Sequence, residues 1–275
     1  MVPVLAPSLG QLILVVASWR SIFIACGAFA AIVSLWAWLR LNETLRPEFR
    51  MTLTAAHIAA SIRLVLGNRA SLFYTLALTV MFGSVMAYVA MVQQIFSDVF
   101  QRPAWMPGMF ALCAGTMGIA AFTNSRLVER LGMRLISHSA LLCFIGLSAL
   151  HVLLAALARE QLWTFVLFQA MTMASFSLSV SNFGAMAMEP IGAVAGIGAS
   201  LQGFMSTTGA AIVGAVIGRQ FGGTTVPLAA GTLCCGLLAL TFVLLAEQGR
   251  LFKRRSTRGV SAAPDGAAAP RVGAA

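Results

Sequence analysis

Seven runs of apolar residues are each long enough to cross a lipid bilayer as a helix. They lie at about 21–40, 70–93, 104–123, 135–157, 162–188, 194–218 and 226–246. A hydrocarbon core of about 30 Å needs roughly 20 apolar residues at about 1.5 Å each. Backbone groups inside that core must be satisfied within their own segment, so the runs are expected to be helices. An eighth run, Val2 to Val16, is shorter and reaches only about 23 Å as a helix. It has no basic stretch before it, so it reads as a short span rather than a signal peptide. Charged residues make up 9% of the chain, against roughly 25% in soluble domains. That is too few to cover a water-facing surface. The expected fold class is all-α: a polytopic membrane protein of eight transmembrane helices.

Basic residues orient this chain. With the loops assigned alternately to two sides, 14 of the 18 Lys and Arg residues fall on the side that holds 40–69, 124–134, 189–193 and everything after 246. The other side has only Arg20, Arg102, Arg159 and Arg219. Lys and Arg resist translocation, so the rich side is expected to be cytoplasmic, with the C-terminus there. Removing one span would scramble the alternation, so the charge pattern supports the count independently.

The long loop 41–69 has Pro47 to stop the preceding helix. Leu53, Ile58, Ile62 and Leu66 then recur at near-helical spacing, which suggests a short interfacial helix. Arg250, Lys253, Arg254, Arg255 and Arg258 form a basic cluster suited to anionic lipid, at on the order of 1 kcal/mol each. Residues 259–275 are mostly Ala, Gly, Pro and Val, and are expected to be disordered. The basic cluster has no interleaved aromatics, so nucleic acid is not an expected partner.

Polar groups inside apolar runs are costly and therefore informative. No Asp, Glu, Lys or Arg sits in the middle of any run, which leaves His138 and His151 as ionisable candidates. Tyr74, Tyr88, Gln93, Gln94, Gln169, Asn182 and Gln202 need partners in the bundle or a watery cavity. Tyr88, Gln169 and Asn182 are the candidate substrate-lining residues; Tyr74 and Gln93 read as interfacial anchors. Gly192 and Gly196, and likewise Gly214 and Gly218, stand one turn apart, with Gly198, Ser200, Gly203 and Gly209 between the pairs. Small residues at this spacing allow close helix approach in lipid. Gly108, Gly115 and Gly118 suggest the same for the run 104–123. Cys26, Cys113, Cys143, Cys234 and Cys235 have no metal-ligand or redox spacing. Nothing calls for a metal or a cofactor. Protease, hydrolase and nucleotide-loop motifs are missing, so an enzyme using His138 or His151 as base is a poor reading.

Two motifs carry a family resemblance. Ala6-Pro7-Ser8-Leu9-Gly10-Gln11 resembles the Pro-x-x-Gly core of the antiporter motif in the fifth helix of major facilitator superfamily exporters. It is followed, as in Bcr/CflA-type multidrug exporters, by Trp19-Arg20-x-x-Phe23, a helix, and Glu43-Thr44-Leu45. Ser125-Arg126-Leu127-Val128-Glu129-Arg130-Leu131-Gly132-Met133-Arg134 resembles the superfamily's cytoplasmic loop motif in its second-half copy. Ser125 stands for a glycine there, Glu129 for an aspartate and Met133 for an arginine. Glu189-Pro190-x-Gly192, then Ala195-Gly196 to Gly203-Phe204, is similar to the passage between the tenth and eleventh helices.

The resemblance runs from the start of the chain to about residue 247. It implies helices five to twelve, the first four being absent. The implied organisation is a two-helix remnant of an N-terminal bundle (1–41), a cytoplasmic inter-bundle loop (42–69), a C-terminal six-helix bundle (70–247) and a tail (248–275). Pro7 and Gly10 would shape a kinked helix, while Glu129, Arg130, Gly132 and Arg134 would latch the cytoplasmic gate. The implied activity is proton-coupled efflux of amphipathic small molecules across a bacterial inner membrane. The alternative is a non-transporting membrane module, or a subunit that completes its bundle with a partner chain.

Overall fold

A computed structural model describes Ile13 and residues 17–41, 54–157 and 160–252. The expected span Val2 to Val16, with Pro7 and Gly10, falls outside the described residues apart from Ile13. Glu43 and the tail beyond Phe252 also fall outside them. Every regular element among the described residues is helical: α1 (Arg20–Arg40), α2 (Ala55–Gly67), α3 (Arg69–Gln94), α4 (Met106–Leu131), α5 (Met133–Ala156), α6 (Leu162–Met188), α7 (Ala195–Gly218) and α8 (Val226–Ala246). All but α2 are long and apolar enough to cross a membrane. The seven long apolar runs thus become seven membrane-length helices.

Local chemistry sets the breaks. Asn68 ends α2, and its side chain accepts the backbone N–H of Ser71 at 3.0 Å, so one residue closes α2 and caps α3. Thr54 caps α2 in the same way through His57. At Gln161 a reciprocal bond with Thr164 starts α6. The stretch 124–134, expected to be a loop, is not one. Helix α4 continues through Asn124 to Leu131, and the turn into α5 is Gly132 alone, at φ +82°. Glycine reaches that conformation without a Cβ penalty, so a single residue suffices where a longer loop was expected.

Helices α3 to α8 form one bundle with internal symmetry. Helix α3 packs on α7 and α8, and α6 packs on α4 and α5. The pairs α3–α6 and α5–α8 close the arrangement. Exchanging α3 with α6, α4 with α7 and α5 with α8 maps this pattern onto itself. Because α3 and α6 run in opposite directions, the two three-helix units are inverted repeats. One apolar cluster, around Tyr88, Met91, Phe96 and Phe165, fills the end where α3 finishes. A second, around Tyr74, Met81, Phe144 and Phe183, fills the end where α3 begins. The latter is called the basic end here.

Glycines set the tightest crossing, between α3 and α7. A Cβ on Gly83 would lie 2.4 Å from Val213 Cγ1, and one on Gly209 would lie 2.3 Å from Thr79 Cγ2. At Gly214 it would meet Met86 Cβ at 2.6 Å and the Met86 carbonyl carbon at 3.0 Å. The Gly192, Gly196, Gly203, Gly108, Gly115 and Gly118 positions have no such neighbour within 4 Å. The expected close packing through Gly108, Gly115 and Gly118 is therefore absent. Helix α4 instead meets α6 through hydroxyls: Thr116 Oγ1 donates to Ala170 O at 3.0 Å and Ser177 Oγ to Met117 O at 3.0 Å.

Helix α1 buries none of its residues, and Phe23, Phe29, Trp36 and Trp38 on it are exposed. Helix α2 packs on α7 and α3 through Ser61 and Val65. The apolar stripe seen in the sequence is not that face: Ile58 and Leu66 stay exposed.

Candidate functional site

Arg134 opens α5 directly after the Gly132 turn, and the turn aims its guanidinium across the basic end. Its Nε donates to Glu247 Oε1 at 2.7 Å. Tyr74 Oη, from the second turn of α3, donates to the same oxygen at 2.6 Å. Arg134 Nη2 also lies 3.8 Å from Glu189 Oε2, where the chain leaves α6. Arg69 Nε donates to Leu245 O at 2.7 Å near the end of α8. One guanidinium and one carboxylate thus tie the ends of α3, α5 and α8 together, with the exit of α6 in reach. Arg134 and Glu247 are 17% and 14% exposed, so water weakens this pair far less than a surface one.

The segment after α8 folds back over the same end. Phe252 N donates to His138 Nδ1 at 3.3 Å, and the two rings pack edge to face at 5.6 Å. A nitrogen that accepts a backbone N–H carries no proton, so His138 is the Nε2–H tautomer, facing Tyr74 Oη at 3.4 Å. Burial pushes the Glu247 carboxyl up. The bonds from Tyr74 and Arg134 and the nearby guanidinium outweigh that, and they hold it below the ordinary glutamate range.

The residues of the expected gate motif separate. Gly132 and Arg134 are in the cluster, one as its turn and the other as its cation. Glu129 and Arg130 lie exposed on the last turn of α4 and make no ion pair among the described residues. Their place is taken by Glu247 and Tyr74. Tyr74, expected as an interfacial anchor, is 1% exposed.

The three substrate-lining candidates are all buried, and no hydrogen bond joins any two of them. Tyr88 stacks on Phe110 at 5.7 Å. Gln169 is 2% exposed and its Nε2 has no hydrogen-bond partner among the described residues. Asn182 Nδ2 donates to Asn124 Oδ1 at 2.9 Å and to Leu178 O at 2.7 Å. Asn124 escaped the sequence reading because it fell in the supposed loop. Along the seam of α4 and α6 run two apolar grooves of about 520 and 290 Å³. They share Thr116 and Ala174 and extend from Trp163 to Leu127 and Leu178. Replacing Asn124 with alanine is expected to cost about 0.6–2 kcal/mol, because Asn182 keeps its bond to Leu178. Unfolding in detergent, compared with Asn182→Ala, measures it.

The Major Facilitator Superfamily model matches residues 1–215, from before α1 to near the end of α7. The chain belongs to the Major Facilitator Superfamily. Its inverted-repeat bundle is the architecture of transporters in that superfamily, which are not enzymes. The chain is similar to the "Bicyclomycin resistance protein homolog" of Haemophilus influenzae, at 26% identity over 227 residues, covering 82% of this chain and 57% of that protein. It is also similar to the "Uncharacterized MFS-type transporter YdgK" of Bacillus subtilis, at 25% identity over 222 residues, covering 78% and 54%. The chain spans about half the length of the curated relatives it matches.

Proposed function

We propose that this superfamily member serves the efflux of amphipathic small molecules, coupled to protons, from a bacterial inner membrane with its basic end in the cytoplasm. The observation that carries this reading is the inverted-repeat bundle α3–α8 with Arg134, Glu247 and Tyr74 clustered at its basic end. A bundle of this kind rocks against a second one around a shared path, and an ionic tie between the ends of α3, α5 and α8 keeps it one rigid unit as it moves. Arg134, Gly132, Glu247 and Tyr74 are the proposed cytoplasmic latch. The apolar seam of α4 and α6 suits an amphipathic solute, with Thr116 and Thr123 as the hydroxyls on its wall and Asn124, Asn182, Tyr88 and Gln169 reached when helices part. The similarity to a bicyclomycin resistance homolog supports a drug-like substrate.

Alternating access needs helices beyond α3–α8, supplied by the same polypeptide or by a partner chain. Helix α1 buries none of its residues against the other described helices, which also suits the second reading, a non-transporting membrane module. Dye efflux from proteoliposomes under an imposed proton gradient tests the first reading. The expected outcome is transport that stops when the gradient is collapsed, from this chain alone or with added superfamily helices. Absence of transport in both cases would leave the module reading.

A further inference from the structure

A buried ion pair sits at the end of the bundle opposite Arg134, and the latch makes no use of it. His151 Nε2 lies 2.5 Å from Glu160 Oε1, with the two side chains only 4% and 6% exposed. Glu160 Oε2 accepts the hydroxyl of Thr225, the residue before α8. The imidazole is stacked on Phe168 at 5.5 Å and tilted against Phe165 at 5.7 Å. Three separate pieces of chain therefore meet here: the last turns of α5, the α5–α6 turn and the start of α8.

We propose that His151 and Glu160 form a single-proton site that clasps this end of the bundle. The contact requires one proton between the two groups. Without it, a nitrogen lone pair faces a carboxylate lone pair, and a buried negative charge is left with Thr225 alone among the described residues. With two, the carboxyl is neutral and a buried imidazolium is left without its counter-ion. Either state leaves an uncompensated charge among phenylalanine rings, which burial penalises strongly. The two groups therefore act as one coupled unit rather than as separate residues.

Among the described residues, no other charge on the packed elements substitutes for the missing partner. Helix α6 offers Phe165 and Phe168, and the first turn of α8 has no charged residue. Toward α4, the nearest cation in sequence is Arg102, whose guanidinium lies over the Trp105 ring at 5.7 Å. Arg219 is exposed beyond α7, and Asp98 accepts from Ser97. Arg159, beside Glu160, lies outside the described residues. The site itself is independent of transport. The proposed orientation enters only in assigning it to the outer compartment, where it would report external pH.

Hydrogen exchange of the full chain in lipid nanodiscs tests the proposal, with uptake corrected for the intrinsic pH dependence of amide exchange. Segments 160–164 and 222–229 are expected to be most protected in an intermediate pH window. They should lose protection several-fold on both the acid and the alkaline side. Glu160→Gln removes the titrating carboxyl and His151→Gln the imidazole; each should flatten the profile. Thr225→Val keeps the pair and should keep the bell shape at lower protection, which guards against a poorly folded Glu160 variant. A flat profile in the unsubstituted chain, or an unchanged bell in a folded Glu160→Gln chain, would overturn the proposal. Either result leaves the efflux reading untouched.

Discussion

Replacing Gly214 with leucine is expected to drive α3 and α7 apart and destabilise the bundle by about 1–3 kcal/mol or more. The new Cβ alone would stand 2.6 Å from Met86 Cβ, 3.0 Å from the Met86 carbonyl carbon and 3.1 Å from Ala87 N. Two of those atoms are helix backbone and cannot turn aside as a side chain does. Gly203→Leu is the matched control. It sits on the same helix with nothing within 4 Å of its Cβ position, and should change stability by under about 0.5 kcal/mol. Thermal unfolding of the two variants in one detergent makes the comparison. Equal melting would mean that α3 and α7 do not cross at these glycines.

Removing Arg134 is expected to have an effect of similar size for a different reason. Arg134→Ala leaves Glu247 half-buried with Tyr74 as its remaining donor, at a cost on the order of 3 kcal/mol. Taking away Glu247 as well removes the stranded charge, so the double variant should be more stable than the sum of the single losses. Arg130→Ala, at an exposed cation without an ion pair among the described residues, should cost under about 0.5 kcal/mol. The pair also fixes a pH dependence. Glu247 is held below the ordinary value of ~4.3 in the folded chain. Its contribution is therefore fully present above that value and is lost as pH falls through the depressed one. Acid should destabilise the unsubstituted chain and affect Glu247→Gln much less. The same acid slope in both would remove Glu247 from the account.

The membrane helices were legible in the sequence because hydrocarbon allows few alternatives: a run of twenty apolar residues has little choice but a helix. Packing was less so. The Gly-x-x-x-Gly spacing at 192–196 and 214–218 is the same, yet only the second pair includes a residue pressed against α3. Spacing places small residues on one face but does not say which neighbour that face meets. The stretch 124–134 misled for another reason. Its arginines and glutamate mark where lipid ends, and the helix simply continues past that point until Gly132. Asn124 was hidden by that error. Glu247 and Glu160 were missed because each lies just outside an apolar run, where a carboxylate ordinarily faces water. Only the tertiary fold shows that each turns inward to meet Arg134 or His151. Arg134 itself was found, since the loop motif named it, but its partner lies 113 residues away.

Position relative to the membrane is the most direct test of the central claim, that α3–α8 cross it as a bundle with all the basic ends together. Single cysteines at Arg159, in the α5–α6 turn, and at Arg250, beyond α8, can be placed in a chain otherwise free of cysteine. Labelling intact cells with a membrane-impermeant thiol reagent should modify the first and spare the second until the membrane is opened. Labelling of both from the same side would contradict the account.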